Sequence, residues 1–282
     1  MDIKKRNKSF DKYFNSTECE VKAFTLPLLT SNGKLDKTTS NSDNGIAYGL
    51  EFIAAYKQSC IFASCHKTCI IGSGVQNIFL THKNEDELSS TDKNRLARYW
   101  LFINKQEIFH KKLQLEIDQI ILQNPSKQIF IRLDVFSELN IKKDYSLLYP
   151  SIIFYDYFKS KKRIIQDYSD NDLNIYSWNE NSSNDDLNNC HKRNIPVATV
   201  IPYNLFTSIF GKKNKKQKNF IELQNCILVN GDKSDLHCFN YDSDKPIISL
   251  LSYKNNRYKN KVGSTPFLES YSKLFNFIEY SI

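Results

Sequence analysis

Short apolar runs alternate with polar segments of helical length through the second half of the chain. The runs are β-branched or aromatic and are bounded by turn or capping residues, which is typical of buried strands. They cover residues 128–134, 151–156, 173–178, 196–201 and 225–230. The intervening segments predict helices over residues 144–149, 156–162, 185–192 and 203–210. This alternation favours an α/β fold with a mostly parallel sheet, arranged as a complete or partial βα barrel, with an open doubly wound sheet as the alternative.

The flanking regions follow different patterns. Residues 1–44 are polar and contain Pro27 and Gly33, so we expect an irregular N-terminal segment with one strand near residues 23–29. An apolar run over residues 46–54 predicts a buried strand, and helical spacing over residues 90–124 predicts one long helix.

Three regions are therefore predicted. The α/β domain spans residues 45–255, after the N-terminal segment 1–44 and before a C-terminal helix or tail at 256–282. Within the domain, residues 247–253 are expected to pair with the strand at 225–230 as a C-terminal hairpin.

Composition narrows the class of protein. The chain has 282 residues, of which 40% are hydrophobic, enough for a substantial core. No secretory leader and no membrane-length apolar run is evident, so we expect a cytoplasmic protein that does not bind membranes. The net charge is +8, and residues 211–218 contain five lysines. This lysine block is either a solvated insertion or a site that attracts polyanions.

Three cysteines lie close together at Cys60, Cys65 and Cys69, directly after the first predicted strand. In a reducing compartment, clustered thiols are more often metal or iron–sulfur ligands than disulfide partners. Zinc is the alternative, with a fourth ligand from His66 or from one of the distant cysteines at positions 190, 226 and 238. A packing role as small apolar side chains is the simplest explanation for any single cysteine.

Polar residues recur where the predicted strands end. In a βα barrel these strand ends form the active face. Our catalytic candidates are Asp134, Asp156, Lys159 and Glu180. Our candidates for binding a cofactor are Arg132, Tyr155, Asn179, Asp232 and Asp235. The competing explanation is that charged residues resume after any buried strand.

Five stretches resemble a family of uncharacterised proteins of bacteriophages and mobile elements, related to mycobacteriophage gene product 88. They are Cys60-Ile-Phe-Ala-Ser-Cys-His-Lys-Thr-Cys-Ile-Ile-Gly, Arg132-Leu-Asp-Val-Phe-Ser-Glu-Leu, Phe154-Tyr-Asp-Tyr-Phe-Lys, Asn174-Ile-Tyr-Ser-Trp-Asn-Glu-Asn and Val229-Asn-Gly-Asp-Lys-Ser-Asp-Leu. The chain departs from the family at Phe158, where Thr is usual, and at Asp134, where Asn is usual. The resemblance implies a phage-type protein without an assigned reaction.

The order of strand, three-cysteine loop, helix and further βα units is also similar to radical S-adenosylmethionine enzymes. That resemblance implies a four-iron cluster on the three cysteines, with S-adenosylmethionine bound to the open iron. The spacing differs, because the cysteines are separated by four and three residues and Thr68 stands where an aromatic residue is usual.

Two hypotheses from different classes follow. The first is an enzyme with a metal or iron–sulfur site at the strand ends, acting on an unidentified small molecule or nucleic acid. The second is a nucleic-acid-binding protein of phage or plasmid DNA metabolism that uses the lysine block and aromatic side chains, with the cysteines as a structural zinc site.

Overall fold

Parallel strands make up the middle of one mixed sheet. The computed structural model describes residues 3–40, 44–54, 56, 88–212, 217–241, 243–253 and 266–279. The strands in this part of the chain are β1 (Leu29–Thr30), β2 (Gly45–Leu50), β3 (Gln128–Arg132), β4 (Ile153–Phe158), β5 (Asp172–Ser177), β6 (Val197–Pro202), β7 (Phe220–Glu222), β8 (Ile227–Asn230) and β9 (Ile247–Tyr253). Their order across the sheet is β1-β2-β3-β4-β5-β6-β9-β8-β7, and only the edge strands β1 and β7 are antiparallel to their neighbours.

The helices occupy the connections between these strands and the two flanking regions. They are α1 (Ile3–Phe14), α2 (Thr17–Thr25), α3 (Gly33–Ser40), α4 (Ser90–Asn104), α5 (Gln106–Gln123), α6 (Lys142–Leu148), α7 (Lys161–Ile164), α8 (Asn184–Lys192), α9 (Tyr203–Phe210) and α10 (Pro266–Glu279), with a 3-10 helix at His237–Asn240. None of the helices in the described ranges has the length and apolar content that a membrane crossing requires.

The two faces of the sheet are covered differently. Every described helix except α3 contributes buried side chains to one of two large hydrophobic clusters on one face, which we call the helical face. The opposite face, which we call the second face, packs against Leu35 of α3 and against Leu236, Cys238 and Phe239 in and beside the 3-10 helix. Among the described residues, all α-helices but α3 therefore cover one face, whereas a doubly wound sheet has helices covering both faces.

The predicted α/β class with a mostly parallel sheet is confirmed, but a complete barrel is not. Closure would require the outer strands to pair with each other. Instead, β2 pairs with the antiparallel β1, and β8 pairs with the antiparallel β7, so the described sheet is open. The predicted C-terminal hairpin was wrong in its pairing, because β8 and β9 are parallel and the antiparallel partner of β8 is β7.

The N-terminal segment is helical, contrary to the irregular structure predicted from its polar composition. Phe10, Tyr13 and Phe14 lie at helical spacing on α1 and are buried, with Phe14 against Tyr99 of α4. The strand expected near residues 23–29 is reduced to β1, since α2 extends to Thr25. A few large aromatic side chains in an otherwise polar segment were enough to bury it, because aromatic burial contributes disproportionately to packing.

The predicted long helix is divided into two. Lys105 separates α4 from α5, with backbone angles of φ −142° and ψ 56° that no helix continues through. The break lets Phe102 on α4 pack edge-to-face against Phe109 on α5, with ring centroids 5.2 Å apart. The helix or tail predicted at residues 256–282 contains the helix α10.

A single carboxylate fixes the edge strand β1 to the helical layer. Both side-chain oxygens of Glu116, on α5, lie within 2.9 Å of the Leu28 amide, and one accepts a hydrogen bond from the Leu29 amide at 2.8 Å. Without Glu116, these amides of the edge strand would have to donate their hydrogen bonds to solvent or to another chain.

We expect Glu116→Ala to lower the free energy of unfolding by about 1–3 kcal/mol, because it leaves part-buried amides without an acceptor. Chemical denaturation would measure the loss. Gln119→Ala, an exposed position on the same helix, is the matched control and should change stability little. Equal losses in the two variants would contradict this role for Glu116.

Candidate functional site

The carboxyl ends of the parallel strands lie along one edge of the sheet, and Arg132 is the last residue of β3 at that edge. It is paired in register with Gly49 of β2. A β-carbon at Gly49 would lie 2.7 Å from the Val135 side chain and 2.8 Å from the Leu35 side chain. Glycine at this position therefore lets α3 and the loop after β3 approach the sheet closely beside the arginine.

Arg132 is held on the second face by groups from three parts of the chain. Its Nη1 atom lies 3.2 Å from Oδ2 of Asp235, and its Nη2 atom donates to the Val135 carbonyl at 3.1 Å. The guanidinium carbon lies 4.6 Å from the centroid of the Tyr157 ring. The Tyr157 hydroxyl in turn donates to Oδ1 of Asp235 at 3.0 Å. Asp235 therefore joins β3 and β4 to the segment that follows β8.

Tyr155 completes this group, which we call the Arg132 cluster and which consists of Arg132, Tyr155, Tyr157 and Asp235. Burial raises the pKa of Tyr155 well above its ordinary value, with a further contribution from Asp235, and does the same for Tyr157. Both phenols therefore stay protonated and can donate hydrogen bonds. Thr38 of α3 closes the cluster, since its hydroxyl oxygen lies 3.4 Å from the Asp235 amide nitrogen.

The cluster keeps a positive charge close to the carboxyl edge. Burial alone would lower the pKa of Arg132, but Asp235 and the neighbouring tyrosines outweigh it and raise that pKa. The arginine side chain is 11% exposed, whereas that of Asp235 is fully buried. The arrangement suits an anchored cation that offers its exposed part to an anionic group.

A second buried group of charges lies on the helical face. It consists of Asp156, Arg163, Asn174, Lys142 and Asp172, and we call it the Asp156 cluster. Arg163 pairs with Asp156 at 3.0 Å and also donates to Oδ1 of Asn174 at 3.1 Å. Lys142 donates to the same Asn174 oxygen at 2.8 Å and forms a salt bridge with Asp172.

The two clusters correct one part of the predicted site. Tyr155 and Asp156 were expected at one mouth, but successive residues of a strand point to opposite faces. Tyr155 and Tyr157 therefore join the Arg132 cluster, while Asp156 lies beneath α6 and α7. Asp156 is thus a buried partner of Arg163, separated by the sheet from the arginine that was predicted to act beside it.

The environment of Asp156 favours its protonated form. Burial raises the pKa of Asp156 to about 7, partly opposed by Arg163 and reinforced by Asp134. Its Oδ1 atom has no hydrogen-bond partner within the described ranges. Desolvation is the dominant cause of the raised pKa, because the carboxylate loses more favourable interaction with water on burial than it gains from one arginine.

Other predicted residues organise loops at the carboxyl edge. Asp134 accepts hydrogen bonds from the Ser137 hydroxyl at 2.6 Å and from the Leu139 amide at 3.1 Å. Asn179 donates to the Ser177 carbonyl at 3.0 Å and accepts from the Asn181 amide at 3.0 Å.

Three further candidates have structural contacts of the same kind. Asp232 accepts hydrogen bonds from the amide and the hydroxyl of Ser252. The Lys159 amide donates to Glu138, and the Glu180 carbonyl accepts from Lys273 at 3.2 Å. The structure therefore gathers Arg132, Tyr155 and Asp235 into one cluster, places Asp156 in the other, and leaves the remaining predicted residues that it describes in separate loops.

The three clustered cysteines, Cys60, Cys65 and Cys69, lie outside the described residues. The cysteines that are described, at positions 19, 190, 226 and 238, are all buried, and none of them forms a disulfide bond. Burial raises the pKa of Cys19 and Cys190 to about 12 and that of Cys226 to about 11. Within the part of the chain that the structure describes, no group of three His, Cys, Asp or Glu side chains is placed to hold a metal ion.

Sequence reasoning missed several members of both clusters. Tyr157 was detectable, because it is two residues from Tyr155 and shares its face of the strand. Asn174 was also detectable as a polar residue within an apolar strand, where burial requires a partner. Thr38, Lys142 and Arg163 gave no comparable signal, because they reach the clusters from helices whose packing the sequence does not specify.

Comparisons with protein families, with curated proteins and with solved structures found no match to this chain. The resemblances to the phage family and to radical S-adenosylmethionine enzymes therefore stay predictions.

We expect Asp235→Asn to lower the free energy of unfolding by about 3–5 kcal/mol, because it leaves the buried Arg132 without its counter-charge. Urea denaturation would measure this loss. Asp244→Asn removes an exposed carboxylate from the turn before β9 and should have almost no effect. A loss below about 1 kcal/mol at Asp235 would contradict the role of this ion pair.

Asp156 should make stability depend on pH. Its pKa is higher in the folded protein, so its stabilising contribution is complete below about pH 4 and is lost as the pH rises through about 7. Between those limits the contribution falls by about 1.4 kcal/mol per pH unit. Asp156→Asn should remove this component, so the difference in unfolding free energy between wild type and variant should decline over that range.

Urea denaturation at a series of pH values would measure the decline. Asp185→Asn, an exposed substitution with the same change of charge, should leave the pH profile unchanged. A constant difference between wild type and Asp156→Asn would show that Asp156 is ionised throughout.

Proposed function

We propose that this protein is an enzyme in which Cys60, Cys65 and Cys69 hold an iron–sulfur cluster or a metal ion. In this proposal, Arg132 anchors an anionic substrate at the carboxyl edge of the sheet. One observation carries the proposal: Gly49, the penultimate residue of β2, pairs in register with Arg132. The strand that leads toward the cysteines therefore runs directly beside the buried arginine.

The contacts of Arg132 support the substrate part of the proposal. Its Nε atom is buried and has no hydrogen-bond partner among the described residues. Tyr157, which packs on the guanidinium, is only partly buried. A carboxylate or phosphate oxygen is the natural partner for the exposed part of the guanidinium, because this charged group forms its strongest hydrogen bonds with anions.

The described thiols favour an iron–sulfur cluster over a four-cysteine zinc site. Cys190 and Cys226 belong to the hydrophobic cluster on the helical face, and their raised pKa values oppose the thiolate form that zinc requires. Three cysteines with an open fourth position suit a four-iron cluster. Zinc with His66 as the fourth ligand is the second choice.

S-adenosylmethionine is left out of the proposal. Asn179, which was predicted to bind it, uses both ends of its amide within the turn after β5. Asp232 is similarly engaged by Ser252. These contacts leave neither side chain available to a cofactor without rearranging its turn.

We further propose that the strands from β2 to β6 form the wall of a partial barrel. They are adjacent in chain order and parallel. The helices that follow β3, β4 and β5, namely α6, α7 and α8, support this arrangement because they all pack on the helical face, and a barrel wall carries such helices on its outside. The Arg132 cluster would then lie on the inner surface.

Metal analysis tests the proposal. We expect protein purified without oxygen to contain iron and acid-labile sulfide, and the triple variant Cys60→Ala, Cys65→Ala, Cys69→Ala to lose both. Cys226→Ala is the matched control, because it removes a buried thiol from the start of the β8 region, and it should keep the iron content of the wild type.

The outcomes separate the alternatives. Zinc without iron would support the second choice of metal if the triple variant lost it. Absence of both metals from freshly purified protein, or a metal content unchanged in the triple variant, would contradict the proposed site.

A further inference from the structure

A group of one exposed and two partly buried aromatic rings lies at the β7 edge of the sheet. Phe220 is the first residue of β7, and its side chain is 45% exposed. Its ring contacts that of Tyr241, with centroids 5.0 Å apart, and Tyr241 in turn contacts the ring of His237 at 5.7 Å. An exposed phenylalanine is unusual on an edge strand, because such strands are commonly protected by charged side chains.

A pocket of about 280 Å³ continues from this aromatic group, with Tyr241 belonging to both. Its apolar wall includes Pro196, Phe239 and Ile247, and its polar lining includes His191 and Lys245. Pro196 and Ile247 lie at the amino ends of β6 and β9. The pocket therefore lies at the opposite edge of the sheet from Arg132. Its volume is close to the lower limit of roughly 300 Å³ for small-ligand pockets.

The charge around this surface is mainly positive. Lys212 and Lys218 are exposed; Lys218 lies two residues before β7, and its amide donates to the Phe210 carbonyl at the end of α9, one residue before Gly211. Lys233 hydrogen-bonds to Asn219 and so adds a further cation beside the strand. Two acidic residues lower this positive charge. Asp244 is exposed, whereas the charge of Glu222 is offset by a salt bridge with Lys245 at 2.7 Å.

We propose that this β7 surface, formed by Phe220, Tyr241, Lys212 and Lys218 with the adjoining pocket, binds single-stranded nucleic acid. Bases stack on the Phe220 and Tyr241 rings, one base enters the pocket, and the lysines contact phosphates. Stacking rings beside cations are the combination that binds single strands without regard to sequence, because every base presents a flat face. The inference is independent of the proposed enzyme, since it uses another edge of the sheet and none of the cysteines.

Fluorescence anisotropy with labelled oligothymidylate and oligouridylate tests the inference on the full chain. We expect Phe220→Ala to weaken binding between about fivefold and about 150-fold, the range given by the loss of one stacking contact. Phe24→Ala is the matched control, because Phe24 is also a partly exposed ring, 41% exposed and packed edge-to-face on Trp100. It should bind like the wild type.

Two further variants keep the test decisive. Phe220→Trp preserves the stacking surface, so it should retain affinity, and its new indole fluorescence should be quenched by the oligonucleotide. The double variant Lys212→Ala, Lys218→Ala should reduce the slope of log affinity against log salt by about 1.4, or about 0.7 for each lost phosphate contact.

Three results would overturn the inference. The first is the absence of binding at low salt. The second is unchanged affinity in Phe220→Ala together with an unquenched indole in Phe220→Trp. The third is displacement of the oligonucleotide by an equal charge concentration of inorganic polyphosphate, which would identify a polyanion site that does not require bases.

Discussion

The alternation of side chains along β4 is the constraint on which the buried chemistry of this protein depends. Tyr155 and Tyr157 face α3 and the segment after β8, whereas Asp156 faces the layer of α6 and α7. A one-residue shift in the register of β4 would exchange these surfaces, so that Arg163 would lose Asp156 and Arg132 would lose the Tyr157 ring. The charges on each face therefore specify where this strand sits.

Each buried basic group in the two clusters has a carboxyl group beside it. Arg132 is matched by Asp235, Arg163 by Asp156 and Lys142 by Asp172. Buried pairs of this kind contribute little net stability, because desolvation offsets most of their attraction, but losing one partner is costly. Each pair therefore joins the elements that supply its two members: β3 to the segment after β8, α7 to β4, and α6 to β5.

A further buried ion pair lies at the carboxyl end of β2. Glu51, directly after that strand, forms a buried salt bridge with Arg95 of α4 at 2.8 Å, and the Arg95 guanidinium lies 4.2 Å from the Phe136 ring. The start of the connection toward the cysteines is thus tied to α4 and to the loop after β3. The β7 surface lies at the other side of the sheet, where β8 separates it from β9. Two separate regions of one sheet can therefore carry different binding properties.

Whether a sequence prediction was confirmed depends on how far apart in the chain the interacting residues are. Residues 203–210 and 247–253 were predicted with the boundaries that the structure has, because short-range periodicity and capping decide them. Polar residues at strand ends were also predicted, although most of them organise turns. The division at Lys105 and the helices of the N-terminal segment were missed, because aromatic packing between distant residues decides both.

By itself, the sequence determined the seven strands from β2 to β6 with β8 and β9, most of the helices and the mostly parallel character of the sheet, since each depends on neighbours within a few positions. Only the tertiary structure decided that β8 pairs parallel to β9, that the described sheet is open, and which polar residues meet. Arg132 and Asp235 are 103 residues apart in the chain. Nothing local to either residue identifies the other, because their contact exists only once β3, β4 and the segment after β8 have packed together.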